Sequence, residues 1–275
     1  MIRFTKMHGL GNDFVVLDGL RQTLEPSPEW IRMLADRHFG IGCDQVLIVE
    51  QPRAQGTDFH YRIFNADGGE VGQCGNGARC FARFVRDQGL TDKDRIRVGT
   101  AAGVIELTLL ADGRVHVDMG RPQFDPRRIP FLAQARANAY VLGLATGNLA
   151  IGVVGLGNPH AVTLVDDLDR APIERLGPLI VAHQDFPEGV NAGFMQVLAT
   201  DRARLRVFER GVGETLACGS GACAAVVCGR QWGLLGERVQ IELPGGELTI
   251  EWPGGDTSIG MIGPATRVFD GELAS

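Results

Sequence analysis

The sequence predicts an α+β chain built from two related domains facing each other around a pseudo-twofold axis. Three observations carry this. Short runs rich in β-branched or aromatic residues recur along the whole chain. Only three stretches, Glu29–His38, Gly77–Gln88 and Gly221–Gln231, read as helix. Segments of the first half also return in the second at a nearly constant offset.

The strands follow in chain order. Phe14–Leu17, Val46–Val49, Tyr61–Phe64, Ile96–Val98, Val104–Leu110 and Val115–Met119 form the first group, with Asp112-Gly113 as a hairpin turn. Residues 139–165 then contain no Asp, Glu, Lys or Arg, a length that can span a bilayer. Thr146-Gly147-Asn148 and Asn158-Pro159 break that stretch, so it reads as the buried strands Ala139–Leu144 and Leu149–Val154 instead. Ala161–Val165, Ala192–Leu198, Arg204–Phe208, Val239–Leu243 and Glu247–Trp252 complete the set, with Pro244-Gly245-Gly246 as a turn.

The repeat has three colinear parts. Gly9-Leu10-Gly11-Asn12 returns as Gly155-Leu156-Gly157-Asn158, and Phe39-x-x-Gly42 as Phe186-x-x-Gly189. Phe64 to Ala78 aligns without a gap on Phe208 to Ala222. Gly-rich turns resemble one another, but three matches in order favour two domains of about 120–140 residues with a site between them.

Composition narrows the function. The 275 residues carry a net charge of −6, which leaves no basic excess for nucleic acid. Of 27 basic residues only Lys6 and Lys93 are lysine, and Lys93 lies in a polar turn, so pyridoxal chemistry is disfavoured. The N-terminus has no apolar signal region, so the six cysteines are read as thiols of a cytoplasmic chain.

Two of them repeat. Cys74-Gly75-Asn76-Gly77-Ala78 and Cys218-Gly219-Ser220-Gly221-Ala222 each precede a helical stretch. First-turn N–H groups and the helix dipole favour a thiolate and can bind a carboxylate. Two such motifs suit inversion of a stereocentre: one sulfur removes the α-proton and the other returns a proton to the opposite face. No metal or other cofactor is required. Cys43, Cys80, Cys223 and Cys228 read as packing residues, and their spacings are not those of structural zinc.

Polar residues cluster beside these motifs. Asn12 and Asn158 can be plain turn residues, but their duplication favours ligand contacts. Asn65 and Glu209 occupy equivalent positions, and Arg210 suits a second carboxylate. The alternative for Glu209-Arg210 is a surface ion pair. Gln45 and Asn191 follow the repeated Phe-x-x-Gly, and His160 follows Asn158-Pro159.

With these residues in view, the chain resembles the diaminopimelate epimerases, pyridoxal-independent enzymes of bacterial lysine and peptidoglycan precursor synthesis. The resemblance runs over Lys6–Phe14, Gly40–Gln45, Phe64–Gly68, Gln73–Cys80, Gly157–His160, Gly189–Asn191, Phe208–Gly211 and Ala217–Ala222. It implies Cys74 and Cys218 as the acid/base pair. It implies substrate binding by Asn12, Gln45, Asn65, Asn158, Asn191, Glu209 and Arg210. Gly75, Asn76, Gly219 and Ser220 would hold the reacting carboxylate through backbone N–H groups. The counterparts of His160 and Glu209 tune the cysteine pKa values.

The implied fold is two pseudo-symmetric domains, each a β-structure wrapped around a central helix. The expected boundaries are 1–118, with 264–275 returning to it, and 119–263. The implied reaction interconverts LL- and meso-diaminopimelate without a cofactor. A homodimer using Phe269 is also implied, although tyrosine is common there in relatives. Proline and hydroxyproline racemases and the phenazine-pathway isomerase share the fold. Arg210 and the asparagine set point to a substrate with a second charged end, which proline lacks. A metal- or ligand-binding module without catalysis is the reading from a different class. Neither a nucleic-acid nor a membrane partner is expected.

Overall fold

A computed structural model describes residues 1–72 and 74–274; Gln73, quoted above, lies outside them. The chain divides into two compact units, Met1–Asp118 with Ile262–Ser275, and Met119–Met261.

Unit 1 opens with strands β1 (Ile2–Gly9) and β2 (Asn12–Asp18), an antiparallel hairpin. Its turn is tight because Leu10 and Gly11 both have positive φ, 60° and 89°. Helix α1 (Pro28–Ala35) crosses to β3 (Gln45–Glu50), which lies parallel to β2 with Val15 opposite Val46. β4 (Phe59–Asn65) pairs antiparallel with β3, and the short β5 (Glu70–Val71) with β4. Helix α2 (Gly75–Asp87) then leads to β6 (Arg95–Thr100), parallel to β4. β7 (Gly103–Leu109) and β8 (Val115–Asp118) continue antiparallel.

Unit 2 repeats this order. β9 (Tyr140–Leu144) and β10 (Gly147–Gly155) form a hairpin, and β11 (Pro159–Leu164) pairs antiparallel with β10. Helix α3 (Ile173–Val181) crosses to β12 (Asn191–Ala199), parallel to β11. β13 (Arg202–Glu209) and β14 (Gly213–Thr215) follow antiparallel. Helix α4 (Gly219–Gln231) leads to β15 (Arg238–Leu243), parallel to β13, and then to β16 (Gly246–Glu251). β17 (Gly260–Gly263) carries the chain across the unit boundary, and β18 (Thr266–Leu273) pairs with β1. The α+β reading and the two pseudo-symmetric domains hold.

Strands β2, β3 and β11 are largely buried on both faces, which explains their continuous apolar runs. In unit 1, Val15, Leu17, Val46, Ile48 and Phe64 pack with Ile31 and Leu34 of α1. The alternate residues Phe14, Leu47 and Ile63 reach Gly77 at the start of α2. In unit 2, Ala161, Ala192 and Phe194 pack with Ile173 and Ile180 of α3. Helix α4 is central: its residues from Gly221 to Gly229 are all buried, and it packs against β10–β13 and β16.

Of two repeat positions, one is shared in conformation and one differs in environment. Gly42 and Gly189 share a left-handed backbone, φ +80° and +73°, which explains the duplicated glycine. The duplicated phenylalanine has no common role, because Phe186 is buried whereas Phe39 is 92% exposed.

Candidate active site

In unit 1, Cys74 caps α2. Its backbone is extended (φ −142°, ψ 119°), and its sulfur accepts the Gly77 N–H at 3.5 Å. The Cys74 N–H donates to the hydroxyl of the buried Tyr61 at 3.4 Å. Asn12, at the start of β2, places Oδ1 3.8 Å from Cys74 Sγ and accepts from Asn76 Nδ2 at 3.2 Å. Gly75 is the first residue of the helix. Gln45 and Asn65 lie opposite each other in register, and Gln45 Nε2 donates to Asn65 Oδ1 at 2.8 Å. Asn12, Cys74 and Asn76 therefore form one cluster, and Gln45 and Asn65 a pair.

In unit 2, Cys218 caps α4 with its sulfur 3.7 Å from the Ser220 hydroxyl, and Gly219 starts the helix. Glu209 ends β13 and accepts the Thr215 hydroxyl at 2.6 Å. The Arg210 N–H donates to Asn191 Oδ1 at 2.9 Å, and its guanidinium donates to the Glu188 carbonyl. A Cβ at Gly189 would lie 2.6 Å from Arg210 Cδ, so this glycine makes room for the arginine. His160 pairs in register with Asn191, and its Nε2 lies 3.0 Å from Asn158 Oδ1.

The sequence model of one family, described as diaminopimelate epimerase, matches residues 4–125 and 152–268, which takes in both clusters. The chain belongs to the diaminopimelate epimerase family. It is 59% identical over 272 residues to the diaminopimelate epimerase of Chromobacterium violaceum, covering 99% of each chain. It is 60% identical to that of Azoarcus sp., covering 99% of this chain and 98% of the other.

Solved structures share the fold at low identity. A PhzF-family phenazine biosynthesis protein from Bacillus anthracis matches with a TM-score of 0.70 at 18% identity, covering 100% and 99% of the two chains. A hydroxyproline epimerase from Agrobacterium vitis matches at 0.70 and 15%, covering 98% and 91%.

A helix N-terminus favours a thiolate, yet Cys218 has its pKa raised well above the usual thiol value. Burial is the main cause, and Cys218 is only 4% exposed. The Glu209 carboxylate adds to the rise, whereas the Gly221 N–H and the Ser220 hydroxyl oppose it. Burial thus favours the protonated form of Cys218. Burial also lowers the fully enclosed His160 to about 3, which makes it a neutral imidazole.

The other cysteines are buried. Desolvation pushes Cys43 up to about 11, and Cys80 and Cys228 up to about 12. Cys223 is fully enclosed as well. Phe269, on β18, is 48% exposed and meets Phe4 edge-on at 6.0 Å. Among the described residues, no group of three or more His, Cys, Asp or Glu is placed to hold a metal.

The sequence reading named no role for Tyr61, Asp44 or Thr215, although each touches a named residue. Tyr61 sat inside an apolar strand pattern. Only its hydroxyl, which needs a partner when buried, could have singled it out.

Proposed function

We propose that this chain interconverts LL- and meso-diaminopimelate, with Cys74 and Cys218 exchanging protons at the α-carbon. One observation carries the reading: each unit places a cysteine at the N-cap of its second helix, at the same position of the repeat. The family match and the identities near 60% to named diaminopimelate epimerases support the substrate.

Cys218 enters as the proton donor, because burial and Glu209 keep its proton in place. Cys74, half-buried, is the base in that direction. Its thiolate takes the α-proton, and negative charge spreads into the substrate carboxylate. The first-turn N–H groups at Gly75-Asn76 and Gly219-Ser220 stabilise that charge. The Cys218 thiol then protonates the other face, so the two sulfurs end with their roles exchanged. The reverse reaction starts from that state. No cofactor takes part in these steps.

Asn12, Gln45, Asn65, Asn158, Asn191 and Glu209 bind the polar groups of the substrate. Arg210, anchored through Asn191 and Glu188, takes the distal carboxylate. His160 and Glu209 set the protonation of the sulfurs. We further propose a cytoplasmic homodimer that uses Phe269, with no nucleic-acid or membrane partner. No helix among the described residues is long and apolar enough to cross a membrane.

The test is α-hydrogen exchange in deuterated water with LL-diaminopimelate, meso-diaminopimelate and proline. Exchange with both diaminopimelates and none with proline is expected. Cys74→Ser and Cys218→Ser should each reduce epimerisation by at least 10³-fold, on the order of removing an essential acid or base. Epimerisation at the parent rate in either variant refutes the two-base reading.

A further inference from the structure

Unit 1 contains a charge network that the proposed proton transfer does not use. The Lys6 ammonium, almost buried on β1, lies 2.6 Å from Asp13 Oδ2 and donates to the Gly42 carbonyl. Arg37 reaches both oxygens of Asp13, at 3.1 and 2.8 Å, and Asp44 Oδ1 at 2.8 Å. Asp44 and Asp13 are also laced by their own N–H groups: Asp44 N–H donates to Asp13 Oδ1 at 2.8 Å, and Asp13 N–H to Asp44 Oδ2 at 3.1 Å. The network ends on a site residue, because Asn12 Nδ2 donates to Asp44 Oδ2 at 3.0 Å.

A carboxylate accepts and does not donate, so Asn12 must turn its NH2 group toward Asp44. Its oxygen then faces the other way, toward Asn76 Nδ2 and the Cys74 sulfur. We propose that Asp44 is a positioning residue: it fixes the Asn12 amide so that an acceptor oxygen, and not an NH2 group, faces the Cys74 thiol.

Unit 2 solves the same problem differently. The strand registers place Val190, just before Asn191, where unit 1 has Asp44 just before Gln45. Asn158 is held through its oxygen by His160 instead. Asn12 is therefore gripped at its NH2 end by a carboxylate, whereas Asn158 is held at its carbonyl end by an imidazole. Tyr61 on β4 and Cys80 on α2 are titratable side chains that also bear on Cys74. Burial keeps both neutral.

The inference rests on Cys74 being a site residue, but its test needs no turnover and is independent of the substrate. The full-length protein is treated with iodoacetamide at pH 8, and alkylation of Cys74 and Cys218 is followed separately by peptide mass spectrometry. In Asp44→Ala only the Asn76 Nδ2 bond still orients the Asn12 amide, which can then turn its NH2 group to the sulfur and favour the thiolate. Cys74 should then react at least threefold faster, while Cys218 stays within twofold. Asp44→Asn keeps an acceptor oxygen and should restore the parent Cys74 rate.

An unchanged Cys74 rate in Asp44→Ala overturns the inference. So does a rate in Asp44→Asn as fast as in Asp44→Ala, because lost charge would then be the cause. If Asp44→Ala unfolds, seen as acceleration at the buried Cys223 as well, Asp44→Val decides by the same rates.

Discussion

His160 occupies the repeat position of Phe14, and each pairs in register with the polar residue that starts the next strand: Gln45 for Phe14, Asn191 for His160. An ionisable ring has replaced an apolar one without gaining solvent. Burial lowers its pKa to about 3, so the folded protein does not bind the proton that an unfolded His takes up below about 6.5. Protons therefore favour the unfolded chain in that window, and stability falls as pH falls. Urea unfolding at pH 7 and pH 5 should show a loss about 2 kcal/mol larger in the parent protein than in His160→Phe. Equal losses would mean that His160 is protonated in the folded state. The imidazole was legible in the sequence as a residue of interest, but its neutrality was not, because enclosure depends on strands distant in the chain.

At the scale of elements, the two central helices begin under different constraints. A Cβ at Gly221 would lie 2.9 Å from Val207 Cγ2 and 3.2 Å from Cys218 Sγ. A Cβ at Gly77 would lie 3.0 Å from Ile63 Cδ1, the far end of a flexible side chain, and 3.2 Å from Phe14 Cε1. Gly221→Ala should therefore cost about 1–3 kcal/mol and displace the Cys218 sulfur, whereas Gly77→Ala should cost less. Thermal unfolding and activity of the two variants check the order, and a larger loss in Gly77→Ala contradicts it.

The sequence reading placed α2 and α4 within two residues at their starts, because runs containing good helix formers such as Ala and Arg follow each Cys-Gly-x-Gly. It missed α3. That helix holds Gly177 and Pro178 and has no side-chain cap. Gly177 is required by packing, since a Cβ there would meet Phe208 at 2.6 Å. β18 was also missed, because most of its residues are exposed and show no alternation; its partner β1 is what defines it.

For the whole molecule, duplication explains why so much was legible. Each unit has the same order of parallel and antiparallel pairings, so a motif read in one half located its counterpart in the other. The polar pairs Asn65/Glu209 and Asn76/Ser220 were found in this way. The Lys6–Asp13–Arg37–Asp44 network was not, because unit 2 has no copy of it to draw attention. Assembly is tested at this scale. Sedimentation of the parent protein should give a dimer of the 29.6 kDa chain. Phe269→Ala should shift the mass toward the monomer at micromolar concentration. An unchanged mass would place the interface elsewhere.

The N-cap sulfurs have one more consequence. Helices prefer Ser, Thr, Asp or Asn at that position, and sulfur is a weak acceptor. The Gly77 N–H reaches Cys74 Sγ only at 3.5 Å, and the Gly221 N–H acts on the Cys218 sulfur without forming a full cap bond. Both helices thus start on residues suited to reactivity and poorly suited to helix initiation. Selection for heat resistance alone would write serine at 74 and 218, gaining a better cap at each while, on the proposed mechanism, erasing the activity.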